Sequence, residues 1–333
     1  MRRAHALLVV PVLAVAATLA GCGSSSPAKS ASSSSTAAST TANESVKVTG
    51  AFGATPTVTI PAEKAGATLY SKTVIQGTGA PLTTADSFVA NFSLYIWSGT
   101  THKLATTTYG KTASANTPTL LPSDLLPGLS KALIGAKDGS RVVAVIPPSE
   151  GFGSSGNSEL GITGTDTLVF VVDLVKNVAN DASATGAKVS SGGGSLPTVS
   201  DPAAGKAPTV TIPKNVTAPK DLTVTTLLKG TGPKLTKGQY VIVQYTGVIW
   251  RTGKVFGSSW SSDAPFGFTL DASPEQVIPG WDKGLIGQTV GSRVMLTVPP
   301  ADGYGSAGQS SAGINGTDTL VFVVDILGTA TSS

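Results

Sequence analysis

Charge, sulfur and imidazole are all scarce in this chain. Of its 333 residues 13% are charged, one is cysteine and two are histidine. One cysteine excludes a disulfide within the chain in any compartment. The histidines are His5 and His102, so nothing from residue 207 onward is His or Cys. Serine–histidine and cysteine–histidine nucleophilic catalysis therefore lack their base in that half, and a zinc site of the usual kind lacks its ligands. The formal charge is +4, with no Lys/Arg cluster, so the concentrated basic face that nucleic-acid binding needs is missing. The carboxylates beyond residue 260 (Asp263, Asp271, Glu275, Asp282, Asp302, Asp318 and Asp325) are scattered beside turns rather than paired for hydrolysis. Asp318 and Asp325 read as residues that cap or flank a strand. Gly303-Tyr304-Gly305 is not followed by Lys-Ser/Thr, so it is no phosphate loop. A reaction in this half should need no proton-transfer group, and no cofactor or metal is expected.

What the chain has is one module written twice. GTDTLVFVVD runs from Gly164 to Asp173 and again from Gly316 to Asp325, 152 residues later. The same spacing carries Pro127-Gly128 onto Pro279-Gly280, Ser140-Arg141 onto Ser292-Arg293, and Pro147-Pro148 onto Pro299-Pro300. A register held so long without insertion means two copies of one fold. Ahead of them, Arg2 and Arg3 precede an apolar stretch, Ala6 to Ala20, that is short for a membrane span and suits a signal sequence over residues 1–21. Its end, Leu19-Ala20-Gly21-Cys22, resembles the bacterial lipobox, which implies a lipid on the Cys22 thiol and a membrane anchor. Residues 22–53 begin with a Ser/Ala/Thr tract and read as a flexible tether, and 180–206, which includes Ser191 to Ser195, as a Ser/Gly linker. The modules are expected at 54–179 and 207–331, as beads on a string. Loss of Arg2 and Arg3 with the signal leaves a net charge of about +2.

The predicted second module is mostly strand: Tyr240 to Trp250, Arg293 to Val298 and Thr319 to Ile326 are rich in β-branched and aromatic residues. Pro279 suits a first helical turn, Trp281 and Leu285 fall on one helix face, and Gly287 should end the helix. One short helix covering an antiparallel sheet is an α+β arrangement. This module also holds ten of the nineteen aromatics. Trp250 and Phe268 read as core. Phe256, Trp260, Phe266 and Tyr304 sit in or beside Gly/Ser/Pro-rich loops, where large rings line something.

Tyr245-Thr246-Gly247, Gly253 to Ser259 (GKVFGSS), Pro265-Phe266-Gly267-Phe268, Val277 to Trp281 (VIPGW), Gly303-Tyr304-Gly305 and Leu320-Val321-Phe322 together resemble the FKBP-type peptidyl-prolyl cis–trans isomerases, from Leu222 to Leu327. The resemblance implies two tandem FKBP-like domains, each an antiparallel sheet wrapped around a short helix. It implies Trp281 as the floor of a pocket, with Tyr245, Phe256, Phe266, Val277, Ile278, Ile314 and Phe322 as its walls. By the resemblance Tyr304 would be a rim donor and the Ile278 N–H would bond the substrate carbonyl; Trp260 is expected in the substrate site from its loop setting. The family usually has Asp and Arg where this chain has Gly257 and Ser262. A pocket without acids or bases suits prolyl isomerisation, in which no proton moves. The first copy has Phe92, Leu129 and Phe152 where the second has Tyr245, Trp281 and Tyr304. It reads as a degenerate, inactive FKBP-like domain, with His102 in a surface loop.

The expectation is a monomeric, membrane-tethered, extracytoplasmic isomerase acting on proline-containing exported polypeptides and binding macrolides of the tacrolimus type. The competing reading is a surface lipoprotein that binds proline segments or a partner without turnover.

Overall fold

A computed structural model describes residues 39–110, 120–203 and 205–330. The proposed signal segment, Cys22 and the tract up to residue 38 lie outside the described residues. No helix among the described residues is long and apolar enough to cross a membrane.

Each copy is an antiparallel sheet crossed on one face by a seven-residue helix. In the first, the strand order is Tyr70–Ile75, Arg141–Ile146, Thr167–Ala179, Asp86–Ser98, Thr101–Thr107. In the second it is Ala187–Lys188, Thr223–Lys229, Arg293–Val298, Leu320–Ala330, Tyr240–Ile249, Val255–Ser258, and Phe266–Thr269 also pairs with Tyr240–Ile249. The helices are Pro127–Leu133 and Pro279–Leu285, each with proline in the first turn. The second ends at Ile286, and Gly287 follows in the left-handed region, φ +84°. It lies close to the sheet because Gly280 and Gly284 carry no side chain: a Cβ on either would come within 2.6 Å of Val298 or Leu296. Trp281 and Leu285 are buried against the same sheet.

Arg293–Val298 and Arg141–Ile146 are buried at all six positions. Alternating side chains point to opposite faces of a sheet, so both faces must be covered, and the second cover comes from segments that run from the expected tether and linker into the first residues of each expected module. In the first module, Ala42, Val46 and Ile60 pack on Trp97, Val143, Val145, Val169 and Val171. In the second, Val199 packs on Leu227, Val248, Trp250, Met295, Val321 and Val323, joined by Leu196, Val210 and Ile212. Each extension forms a small hairpin, Lys47–Thr49 with Thr57–Thr59 and Thr198–Val199 with Val210–Thr211. Each also receives an indole hydrogen bond, Trp97 Nε1 to the Glu63 carbonyl at 2.9 Å and Trp250 Nε1 to the Val216 carbonyl at 3.4 Å. The expected tether is therefore folded onto the first module from Ser39, and much of the expected linker onto the second. Apolar residues spaced among serines and glycines, too sparse to mark an element, become a cover because the sheet behind them needs one.

Under each extension lies a buried ion pair, Arg141–Asp173 and Arg293–Asp325, at 2.6 Å in both cases. Asp173 accepts the Gly53 N–H and Asp325 the Ala184 N–H, while Arg141 donates to the Gly50 and Ala54 carbonyls. Asp325 thus lies within a strand and anchors the cover, rather than capping or flanking that strand.

The modules also touch, which corrects the beads-on-a-string reading. Val89 and Val178 of the first form one buried cluster with Tyr240, Ile242 and Ala330 of the second. The Lys176 methylenes pass within 3.5 Å of where a side chain on Gly328 would start. His102 sits on the strand Thr101–Thr107 opposite Trp97, exposed, and not in a loop.

Candidate active site

The face of the second sheet toward the helix carries a box of aromatic rings. The sequence folds this way because Tyr245 and Phe322 lie on neighbouring central strands, Phe266 and Phe268 on the short strand beside them, and Trp281 two residues into the helix above. Trp281 is 3% exposed. Its ring meets Tyr245, Phe268 and Phe322 at centroid distances of 5.3 Å, all edge to face, and Phe266 at 6.1 Å. Tyr245 meets Phe266 at 5.8 Å, and Phe256 meets Phe322 at 5.5 Å and 87°. Edge-to-face contacts of this kind contribute about 0.5–1.5 kcal/mol each beyond the area buried. The Trp281 indole N–H, at the base of the box, is buried and has no hydrogen-bond partner among the described residues.

Val277 and Ile278 are half-buried against the same core and Ile314 is 3% exposed. Ile278 caps the helix in an extended conformation, φ −65° and ψ 149°. Phe266 and Tyr304 are each 38% exposed, so the box opens to solvent on their side. Burial pushes the Tyr245 hydroxyl above its usual pKa, and the nearby Tyr304 adds to the shift; burial does the same to Tyr304. Both phenols stay neutral donors across the physiological range. The structure thus brings together Tyr245, Phe256, Phe266, Val277, Ile278, Trp281, Ile314 and Phe322. Trp260 is half-buried in the turn Ser259–Ser262, and its ring is not among those stacked around Trp281.

Residues 92–175 and 232–327 match the profile of the FKBP-type peptidyl-prolyl cis-trans isomerases. This chain belongs to that family. It is 40% identical to an FK506-binding protein of Streptomyces anulatus over 33% of this chain and 86% of the relative. It is 37% identical to a probable FK506-binding protein of Corynebacterium glutamicum over 33% of this chain and 88% of the relative. The three FKBP domains of wheat FKBP73 cover 79% of this chain and 94% of theirs at 21% identity, with a TM-score of 0.32. The two matched stretches, 92–175 and 232–327, show two FKBP-type domains, and the enzyme class is prolyl isomerase.

Two glycines shape the second FKBP box: Gly247, which the sequence offered only as part of a motif, and Gly257, already marked as a departure from the family. Gly247 lies in a central strand, and a Cβ there would sit 2.7 Å from Phe256 Cζ and 3.1 Å from the Phe322 ring. A bare strand position is what lets the Phe256 ring lie across the sheet. Glycine inside a strand signals such a close approach. Gly257 faces the Tyr245 hydroxyl, 3.4 Å from where its Cβ would be, at the site the family fills with Asp.

Strand register shows how the first FKBP domain differs. Phe92 opposes Val172 as Tyr245 opposes Val324, and Leu94 opposes Phe170 as Gly247 opposes Phe322. Ser93 opposes Thr107 as Thr246 opposes Ser258, which puts Ala105 at the position of Phe256. Leu120, bonded to Phe88, stands where Phe268 opposes Val241. With Leu129 in place of Trp281, the box loses its floor ring and becomes mostly aliphatic. Among the described residues of this domain one ring pair remains at the site, Phe92–Phe170, at 6.1 Å.

Proposed function

We propose that the second FKBP domain carries the prolyl isomerase activity, acting on proline-containing segments of exported polypeptides, and that the first is not catalytic. The observation that carries this reading is the ring box around Trp281, open beside Phe266 and Tyr304.

Rotation about a peptide bond has a barrier of about 18–20 kcal/mol because resonance gives the C–N bond double-bond character. At Xaa-Pro the isomers differ by only about 0.5–1 kcal/mol, yet exchange takes tens to hundreds of seconds. Twisting the bond removes the resonance dipole, so the transition state is less polar than the planar amide. A dry aromatic box favours the twisted form over the planar one, and preferential binding of the transition state is catalysis. Each ~1.4 kcal/mol of preference speeds exchange about tenfold. Trp281 would support the proline ring, the Ile278 N–H would bond the substrate carbonyl, and Tyr304 would donate at the rim. No step requires a titrating group.

The test is a protease-coupled assay on the full chain with Leu-Pro and Phe-Pro peptides, beside Trp281→Ala and Tyr304→Phe. Acceleration that falls at least about tenfold in Trp281→Ala supports the reading. No acceleration, with no binding of a tacrolimus-type macrolide, defeats it. Gly257, which leaves Tyr245 without the family's carboxylate, favours the second reading of a binder without turnover; proline-peptide binding with no acceleration would decide for it. Lipidation at Cys22 and an extracytoplasmic membrane location belong to the same proposal and rest on the lipobox-like Leu19-Ala20-Gly21-Cys22; a monomeric state is proposed with them. Metabolic labelling with palmitate, abolished in Cys22→Ser, checks the anchor.

A further inference from the structure

The junction between the domains and the isomerase box are joined by one chain of hydrogen bonds. Asn180 follows the last strand of the first domain, where its N–H donates to the Ala85 carbonyl at 3.0 Å and its Oδ1 accepts the Ser87 hydroxyl at 2.6 Å. Its own carbonyl accepts Gln244 Nε2 at 2.7 Å. Gln244 is fully buried and precedes Tyr245 on the central strand. Its Oε1 accepts the Ser259 hydroxyl proton, and Ser259 Oγ accepts the Tyr245 N–H at 2.8 Å.

The direction of this chain is fixed by chemistry. A backbone carbonyl only accepts, so the amide nitrogen of Gln244 must face Asn180 and its oxygen must face Ser259. A serine hydroxyl has one proton; once that proton goes to Gln244, the lone pairs are left for the Tyr245 N–H. Were Asn180 displaced, a buried amide N–H would lose its acceptor, which is costly, and the amide could turn over. The Ser259 proton could then rotate to the Tyr245 carbonyl, 3.5 Å away. The backbone position of a ring that packs on both Trp281 and Phe266 thus depends on a residue held by the other domain.

Among the described residues, the first domain contains the pocket end of the device without the connection. Thr108 Oγ1 accepts the Phe92 N–H at 2.8 Å and lies 3.4 Å from Asn91 Oδ1. Asn91 is one methylene shorter than Gln244 and only half-buried.

We propose that Gln244, Ser259 and Asn180 are positioning residues through which the first domain tunes the isomerase box in cis. This rests on the second domain being the active one. Ser87→Ala in the full chain removes the far anchor without touching the box. The expected result is a fall of about threefold in kcat/KM, in the range of coupled neighbours, with faster hydrogen exchange at the Tyr245 amide. The effect of Ser87→Ala should disappear in a Ser259→Ala background, where the chain is already cut. Val89→Ala, which loosens the same junction outside the hydrogen bonds, should leave kcat/KM unchanged. The proposal is overturned if Ser87→Ala changes neither rate nor exchange, if its effect adds to that of Ser259→Ala, or if Val89→Ala matches it. Absence of isomerase activity in every variant would end the catalytic reading alone; Tyr245 exchange in Ser87→Ala then decides the positioning chain by itself.

Discussion

Leu94 and Ala105 in the first domain occupy the register positions of Gly247 and Phe256 in the second. The volume is similar, but the side chain that fills the slot comes from the central strand in one case and from the neighbouring hairpin in the other. In the first domain the slot belongs to the buried core, with Leu94 3% exposed among Leu126, Leu129 and Phe170. In the second it belongs to a half-open ring box. A core wants branched side chains that interdigitate; a pocket needs rigid surfaces that keep their shape when nothing is bound, which aromatic rings supply. One scaffold serves both ends because the sheet, the helix seat and the Arg–Asp clamp lie behind the exchanged residues and do not depend on them.

The comparison can be broken first at what the domains share. Replacing one partner of a buried pair leaves an uncompensated charge. Arg141→Met and Arg293→Met should each cost about 3–5 kcal/mol in their own domain by denaturant or thermal unfolding, and Arg293→Met with Asp325→Leu should recover most of it. A large effect in one domain and none in the other would contradict the common clamp. Next comes the exchanged floor. Trp281→Leu, which imports the first domain's residue, should lower kcat/KM about 30-fold, roughly 2 kcal/mol of transition-state binding, with circular dichroism unchanged.

A smaller effect is expected at the slot. Gly247→Leu forces the Phe256 ring aside, and kcat/KM should drop about tenfold, while Gly247→Leu combined with Phe256→Ala should regain stability but not rate. The smallest effect is that of pH. With Tyr245 and Tyr304 pushed up by burial, neither phenol ionises near neutrality. Their folded-state pKa values are raised, so the stability they confer is present below about pH 10 and is lost only as pH rises beyond it. Asp318, held low by its hydrogen bonds with Arg251, acts in the opposite sense, its stabilisation vanishing only below about pH 4. Between about pH 6 and 9 the rate profile should be flat, and a limb near pH 7 would mean that a proton does move.

Much of the site was legible in residue types and their order. Pro279, Trp281 and Gly287 announced the helix, the β-branched runs announced the central strands, and the loop aromatics pointed to a lined hollow. Phe256 and Phe266, read as in or beside loops, lie on short strands that flank a turn, because each finds a free edge or face of Tyr240–Ile249 to pair with. Trp260 was placed in the site by its setting, but its half-buried ring stands apart from the stack around Trp281. The covers over the back of each sheet could not be read, since segments such as 180–206 have the composition of a linker. Their few apolar residues gain meaning only from Val, Trp and Met side chains scattered far along the chain.

The sequence alone determined that there are two copies, that the second has no histidine or cysteine for nucleophilic or zinc chemistry, and which rings are available to it, because these depend on residue identity and local pattern. Tertiary structure decided which of those rings meet, which glycine makes room for them, and that the domains lean on each other through Asn180 and Gln244. Those outcomes depend on strand register and on contacts between residues remote in sequence, where one small side chain matters only for what happens to lie across from it.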